Sequence, residues 1–177
     1  MVIIMAGLPK SGKTYIVKIF KALLPSYDIQ IIEPSKFIPP EADKNVAATA
    51  AWQIAFEKLL GIIGEGNKNN IIVFDSCASK SSVVVDISTK AKISDHDVWM
   101  VFVFASKETC LRRSNHEVDK ELIDKYERLF LDTLKRSQAA CNRFFVVDND
   151  RDPDLQTLHK LANKIVASLK DGNDRIH

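Results

Sequence analysis

Residues 7–14 read Gly7-Leu8-Pro9-Lys10-Ser11-Gly12-Lys13-Thr14, a full match to the glycine-rich pattern G-x-x-x-x-G-K-[ST]. The apolar run Val2-Ile3-Ile4-Met5-Ala6 leads directly into it, and Ile16, Val17, Phe20, Leu23 and Leu24 follow at helical spacing until Pro25 ends the helix. A strand, a tight glycine loop and a helix in this order form a phosphate-binding loop. Gly7 and Gly12 can take backbone angles that a Cβ resists, so successive amides can turn inward around a β-phosphate. The helix start adds unpaired donors and partial positive charge. Lys13 would reach the β- and γ-phosphates, and the Thr14 hydroxyl would hold a magnesium ion. The competing reading is a strand-to-helix turn that holds Gly, Lys and Thr by chance; the correct flanking patterns on both sides argue against it.

With 177 residues and 46% hydrophobic content, the chain can bury a sizeable core, and one domain spanning residues 1–177 is expected. The apolar runs are strand-sized, so no spanning helix is expected. Met1 opens onto the first strand without a leader pattern, and Cys77, Cys110 and Cys141 are odd in number and widely separated, giving neither a disulfide framework nor zinc spacing. These features point to a reducing, cytoplasmic setting with no membrane partner. A net charge of +2 gives no strong pull toward nucleic acid or acidic membranes.

Strand-like runs occur at Val2–Ala6, Ile29–Glu33, Ile71–Asp75, Val98–Phe104 and Phe144–Val147, alternating with helical patterns. This order predicts an α/β fold, with a parallel sheet covered on both faces. A long helix is expected from about Asn45 to Gly64 on Ala50, Ile54, Leu59, Ile62 and Ile63, and the polar run 64–70 reads as a loop. Asp119 is the expected N-cap of a helix whose apolar stripe is Leu122, Tyr126, Leu129, Phe130 and Leu134. Asp152-Pro153 has the order of a helix start, continued by Leu155, Leu158, Ala162, Ile165 and Leu169. In 79–92 the residues Val83-Val84-Val85 and Ile87 favour a strand by propensity, but the crossover between parallel strands requires a helix, and a helix is expected there.

Asp75 ends the third strand-like run, at the carboxyl edge where ligands bind in open α/β sheets. It can hold a magnesium-bound water or orient an acceptor, or simply cap the segment after the strand. Glu33 ends the second run in the same way and can either accept the proton of an attacking hydroxyl or remain a solvated strand-end carboxylate. Lys36 can pair with an acceptor phosphate or stand idle. Arg112 and Arg113 come after the fourth strand on a short expected helix, where neighbours point about 100° apart. One of the two, without preference, can close over the transferring phosphate. Lys107, Lys125 and Arg128 read as surface charges, Trp52 and Trp99 as core residues, and His96, His116, His159 and His177 show no metal spacing.

On the loop Gly7–Thr14, Glu33, Ile71–Asp75 with Ser76, the arginines after the fourth strand and Val146-Val147-Asp148-Asn149 before the last helix, the chain resembles the small P-loop kinases. The resemblance is to the polynucleotide-kinase-like and zeta-toxin-like group in particular. It implies a three-layer P-loop NTPase fold with a five-stranded parallel sheet ordered 2-3-1-4-5, Mg-ATP as donor, and a hydroxyl or phosphate acceptor. The acceptor class is a small metabolite, a nucleotide or a polynucleotide 5′ end, and the implied reaction is γ-phosphoryl transfer. Implied nucleotide contacts are Gly7, Lys10, Ser11, Gly12, Lys13 and Thr14, with Asn149, Asp150 and Arg151 beside the adenine; Thr14 and Asp75 would hold magnesium, and Lys13, Asp75, Glu33, Arg112 and Arg113 would serve the transfer. A short lid falls near 106–121, and 34–46 with 76–82 would line the acceptor site. No Asn-Lys-x-Asp guanine-reading motif is present, which argues against a GTPase. An ATPase switch, or a degenerate kinase acting as a binding module, is the alternative.

Overall fold

The computed structural model describes residues 1–41, 44–65, 70–77, 81–115, 118, 120–151 and 155–174. Its strands are β1 (Val2–Ala6), β2 (Ile29–Ile32), β3 (Ile71–Asp75), β4 (Val98–Phe104) and β5 (Arg143–Asp148). The helices are α1 (Lys13–Leu23), α2 (Lys44–Gly64), α3 (Ser81–Ile93), α4 (Lys107–Ser114), α5 (Lys120–Ala140) and α6 (Leu155–Asp174), and a 3₁₀ turn lies at Pro34–Phe37. The strands form one parallel sheet in the order β2-β3-β1-β4-β5. Both the parallel sheet and the 2-3-1-4-5 order are as the family resemblance implies.

The central strand explains the layering. β1 is paired on both edges, by β3 and β4, and every residue of Val2–Ala6 is buried. Successive side chains alternate between faces. Val2, Ile4 and Ala6 join Leu59, Ile63, Ile87 and Ile123 on the side covered by α2, α3 and α5. Ile3 and Met5 join Ile16, Phe20, Leu158 and Ile165 on the side covered by α1 and α6. Two cores thus clamp β1, and the carboxyl ends of β1 and β3, where Gly7 and Asp75 stand, are held side by side through the pairing of Met5 with Asp75.

The strand–helix conflict in 79–92 resolves as a helix, α3, because parallel β3 and β4 require a crossover. Three expected helix faces are corrected. In α2, Ile54 and Ala50 are exposed, and the buried stripe is Ala51, Ala55, Leu59 and Ile63. Ile54 lies five residues before Leu59, about 140° around the helix, whereas Ala55 lies about 40° away. In α5, Leu122 and Leu129 are exposed while Ile123, Phe130, Thr133 and Ser137 face inward, a stripe rotated by one residue. In α6, Leu155 is exposed, and packing begins at Leu158. Trp99 is fully buried as expected, its ring tilted against Phe145 with Arg143 over it. The expected cap Asp119, the start at Asp152-Pro153, His116 and His177 and most of the 64–70 loop lie outside the described residues.

Candidate functional site

The loop after β1 is wound rather than flat. Gly7, Lys10 and Gly12 have φ of 144°, 63° and 97°, values that favour glycine at the two ends. A Cβ on Gly7 would collide with the Val103 carbonyl oxygen, and one on Gly12 with the Asn149 side-chain amide. Inside the loop the Ser11 amide donates to the Leu8 carbonyl at 3.1 Å. Among the described residues the amides of Gly12, Lys13 and Thr14 have no acceptor within the protein, and the buried Ser11 hydroxyl has no hydrogen-bond partner. Gly12 is half-buried and Thr14 exposed, so these amides are the open donors of a helix start; together with the buried, unmatched Ser11 hydroxyl they offer one turn of donors that an anion would satisfy.

Lys13, in the first turn of α1, is buried, and its Nζ donates to the carbonyls of Gly7 (3.1 Å) and Leu8 (2.8 Å). The ammonium is thereby kept beside the loop. Thr14 Oγ1 donates to Asp75 Oδ2 at 2.6 Å, so a hydroxyl and a carboxylate from two elements meet at the loop's mouth. Burial pushes the Asp75 carboxyl above its usual value, partly opposed by the Thr14 hydrogen bond and by the Lys13 charge. Hard oxygen donors limited to one hydroxyl and one carboxylate suit magnesium, which keeps several waters and takes its other ligands from phosphate. No cluster of three or more His, Cys, Asp or Glu that could cage a metal occurs among the described residues.

A cavity of about 560 Å³ continues from this mouth. Lys10, Lys13, Thr14, Asp75 and Glu33 all line it, so five of the expected site residues share one space. Pro34, Ser35, Ile38, Ser76 and Cys77 also line it, within the two stretches expected to form an acceptor pocket. Glu33 is engaged: Ser35 donates its hydroxyl to one carboxylate oxygen, and Lys36 pairs with the other at 3.5 Å. Trp52 and Tyr126, read from sequence as core and stripe residues, form part of the wall. Trp52 stacks on Phe56 at 5.1 Å and meets Phe74 edge-on, so one side of its ring is core and another is cavity. No local signal marks either residue, because the topology of α2 and α5 alone brings them to the site.

The two arginines diverge. Arg112 turns back to Thr109 Oγ1 on its own helix at 3.4 Å. Arg113 reaches the loop, donating to the carbonyls of Ser11 (3.4 Å), Asn149 (2.8 Å) and Arg151 (3.2 Å). Asn149 is buried, and Arg151 is exposed at the surface with its carbonyl turned to Arg113. Asp150 is held down to about 2 by hydrogen bonds from Ser106 and Thr109, which fastens the 149–151 segment to the start of α4. Lys107 pairs with Asp124 at 2.9 Å and with Glu127, tying α4 to α5.

With this geometry in place, the family model described as chromatin associated protein KTI12 matches residues 1–169. The chain belongs to the KTI12 family. No curated protein matches. Among solved structures, Kti12 from Chaetomium thermophilum in complex with ADP-AlF3 is 17% identical, with a TM-score of 0.65, covering 96% of this chain and 99% of that one. Shikimate kinase from Acinetobacter baumannii in complex with shikimate is 13% identical (TM-score 0.59, 96% and 93% covered). A structure from the PezAT chromosomal toxin–antitoxin system of Streptococcus pneumoniae is 14% identical (TM-score 0.66, 99% and 86% covered). Likeness at these identities establishes the fold, which is that of the small P-loop kinases. No helix among the described residues is long and apolar enough to cross a membrane.

Proposed function

We propose that this KTI12-family chain is a Mg-ATP-dependent phosphotransferase that delivers the γ-phosphoryl to a hydroxyl entering the cavity between β2, β3 and α2. The observation that carries this is the pairing of Thr14 with Asp75 at 2.6 Å, at the point where the phosphate loop opens into a cavity bounded by Glu33. Donor and acceptor compartments then meet at one carboxylate. In this reading the amides of Gly12, Lys13 and Thr14 bind the polyphosphate, and the Lys13 ammonium offsets its charge. Thr14 and Asp75 would hold magnesium, which when bound neutralises phosphate oxygens. Glu33 would orient the acceptor hydroxyl or take its proton once Ser35 and Lys36 yield. Catalysis in such a site is positioning together with charge stabilisation.

A second reading, an ATP-driven switch or binding module, is favoured by two specific observations. Glu33 is occupied by Ser35 and Lys36, and Arg113 is spent on main-chain carbonyls. The family's description as chromatin associated supplies a setting for such a switch. Incubation with γ-labelled ATP and a panel of nucleosides, nucleotides, sugars and 5′-hydroxyl oligonucleotides separates the two. Label on an acceptor supports phosphotransfer, label in inorganic phosphate alone supports the switch, and label remaining on ATP supports a binding module.

Both readings require the nucleotide. Melting with Mg-ATP at about 100 times its dissociation constant is expected to show a gain of about 2.7 kcal/mol, a rise of about 5–10 °C for a domain of this size. A melting point unmoved by any nucleoside triphosphate would remove the common premise.

A further inference from the structure

One carbonyl of the phosphate loop is gripped from outside. Asn149 Nδ2 donates to Ser11 O at 2.7 Å, and Arg113 Nη1 adds a longer contact to the same oxygen at 3.4 Å. A peptide unit is planar and trans, so its C=O and N–H point in opposite directions. Drawing Ser11 O away from the loop therefore turns the Gly12 N–H into it, and that amide has no acceptor within the described protein. The opposite orientation would present the negative end of the peptide dipole to an incoming phosphate.

From this geometry we infer that Asn149, steadied by Arg113, is a positioning residue that presets the Ser11–Gly12 peptide for polyphosphate binding, rather than a contact to the base. The inference rests on the nucleotide reading above and deepens it. Asn149 is suited to the task because it is only 3% exposed and its own backbone is fixed. Its amide donates to Phe104 O at 2.8 Å, and its carbonyl accepts from Arg113 Nη2 at 2.8 Å. The next residue is fastened as well, Asp150 accepting the Ser106 amide at 2.7 Å. The phosphate loop is thus referenced to the end of β4 and the start of α4. The same packing gives Gly12 a second reason to be glycine, since a Cβ there would occupy the place of the Asn149 amide.

The test is calorimetric titration of the full chain with magnesium and either inorganic tripolyphosphate, which has no base, or ATP. Asn149→Ala is expected to weaken both ligands by a similar factor, about tenfold, the scale of one well-made buried hydrogen bond. Asn149→Asp keeps the shape but sets an acceptor against the Ser11 carbonyl, and is expected to weaken both further. Loss confined to ATP, with tripolyphosphate unaffected, would make Asn149 a base contact and overturn the inference, as would no loss for either ligand. Failure of the wild-type chain to bind either ligand would remove the nucleotide reading and the positioning role with it. If the Asn149 variants do not fold, Arg113→Lys serves instead: a loss of about threefold for tripolyphosphate, measured well below the melting temperature, supports the role, and an unchanged affinity overturns it.

Discussion

Lys13→Met is expected to lower turnover of γ-labelled ATP by about 10²–10³-fold, the loss seen when one preorganised charge donor is removed from a reacting centre. Lys13 is buried at the start of α1, with its Nζ shared between the carbonyls of Gly7 and Leu8. Methionine fills much of the same space along the stem, so the packing of Ile16 and Phe20 beneath is undisturbed, but it neutralises nothing. Single-turnover measurement at saturating Mg-ATP isolates the effect on chemistry from that on binding. Turnover within a factor of two of the wild type would sink both the phosphotransfer and the ATPase readings. Reduced affinity with no measurable turnover in either protein would leave the binding module standing.

The range of each interaction decides whether sequence alone can reveal it. The phosphate loop is legible because its constraints are local: Gly7, Gly12, Lys13 and Thr14 lie within eight residues, and the adjoining Val2–Ala6 and Ile16–Phe20 patterns name their own secondary structure. Asp75 is legible for a related reason, since the end of a buried strand is marked by the change from Phe74 to a charged residue. The helix α3 needs a topological argument, because the β-branched run Val83–Val85 points the other way until the parallel pairing of β3 and β4 is considered. Helix faces are harder to read. Alanine carries little pattern, so the stripe Ala51-Ala55-Leu59-Ile63 is set by close approach to the sheet and is masked by the larger Ile54. Trp52 and Tyr126 come to the cavity from separate helices, and the Arg113–Asn149–Ser11 contacts span 36 to 138 residues of chain. A contact made only by the tertiary fold leaves no spacing to find.

Asp75→Asn is expected to separate stability from activity at one atom. The carboxyl is buried at the end of β3, and desolvation lifts it above its ordinary value despite the Thr14 hydrogen bond and the Lys13 charge. In the unfolded chain it returns to that ordinary value. Between the two, the folded protein holds a proton that the unfolded chain has released, so Asp75 adds stability that is full below the unfolded value and lost as pH rises through the folded one. At neutral pH the ionised group therefore weakens the ligand-free fold. Asparagine keeps an oxygen for Thr14 and carries no charge, so the ligand-free variant is expected to melt higher near pH 7, with a gain that shrinks on acidification. Metal-dependent behaviour runs in the opposite sense. A neutral amide is a poor magnesium ligand, and turnover is expected to fall by about 10²-fold or more. In the wild type the magnesium-dependent part of ATP affinity should likewise weaken on acidification, beginning above the usual carboxylate range. Paired melting curves and ATP titrations across pH, with and without magnesium, read both effects in one experiment. A variant that melts lower than the wild type at neutral pH would refute the desolvated carboxylate, and one that keeps its magnesium dependence would take Asp75 out of the metal site.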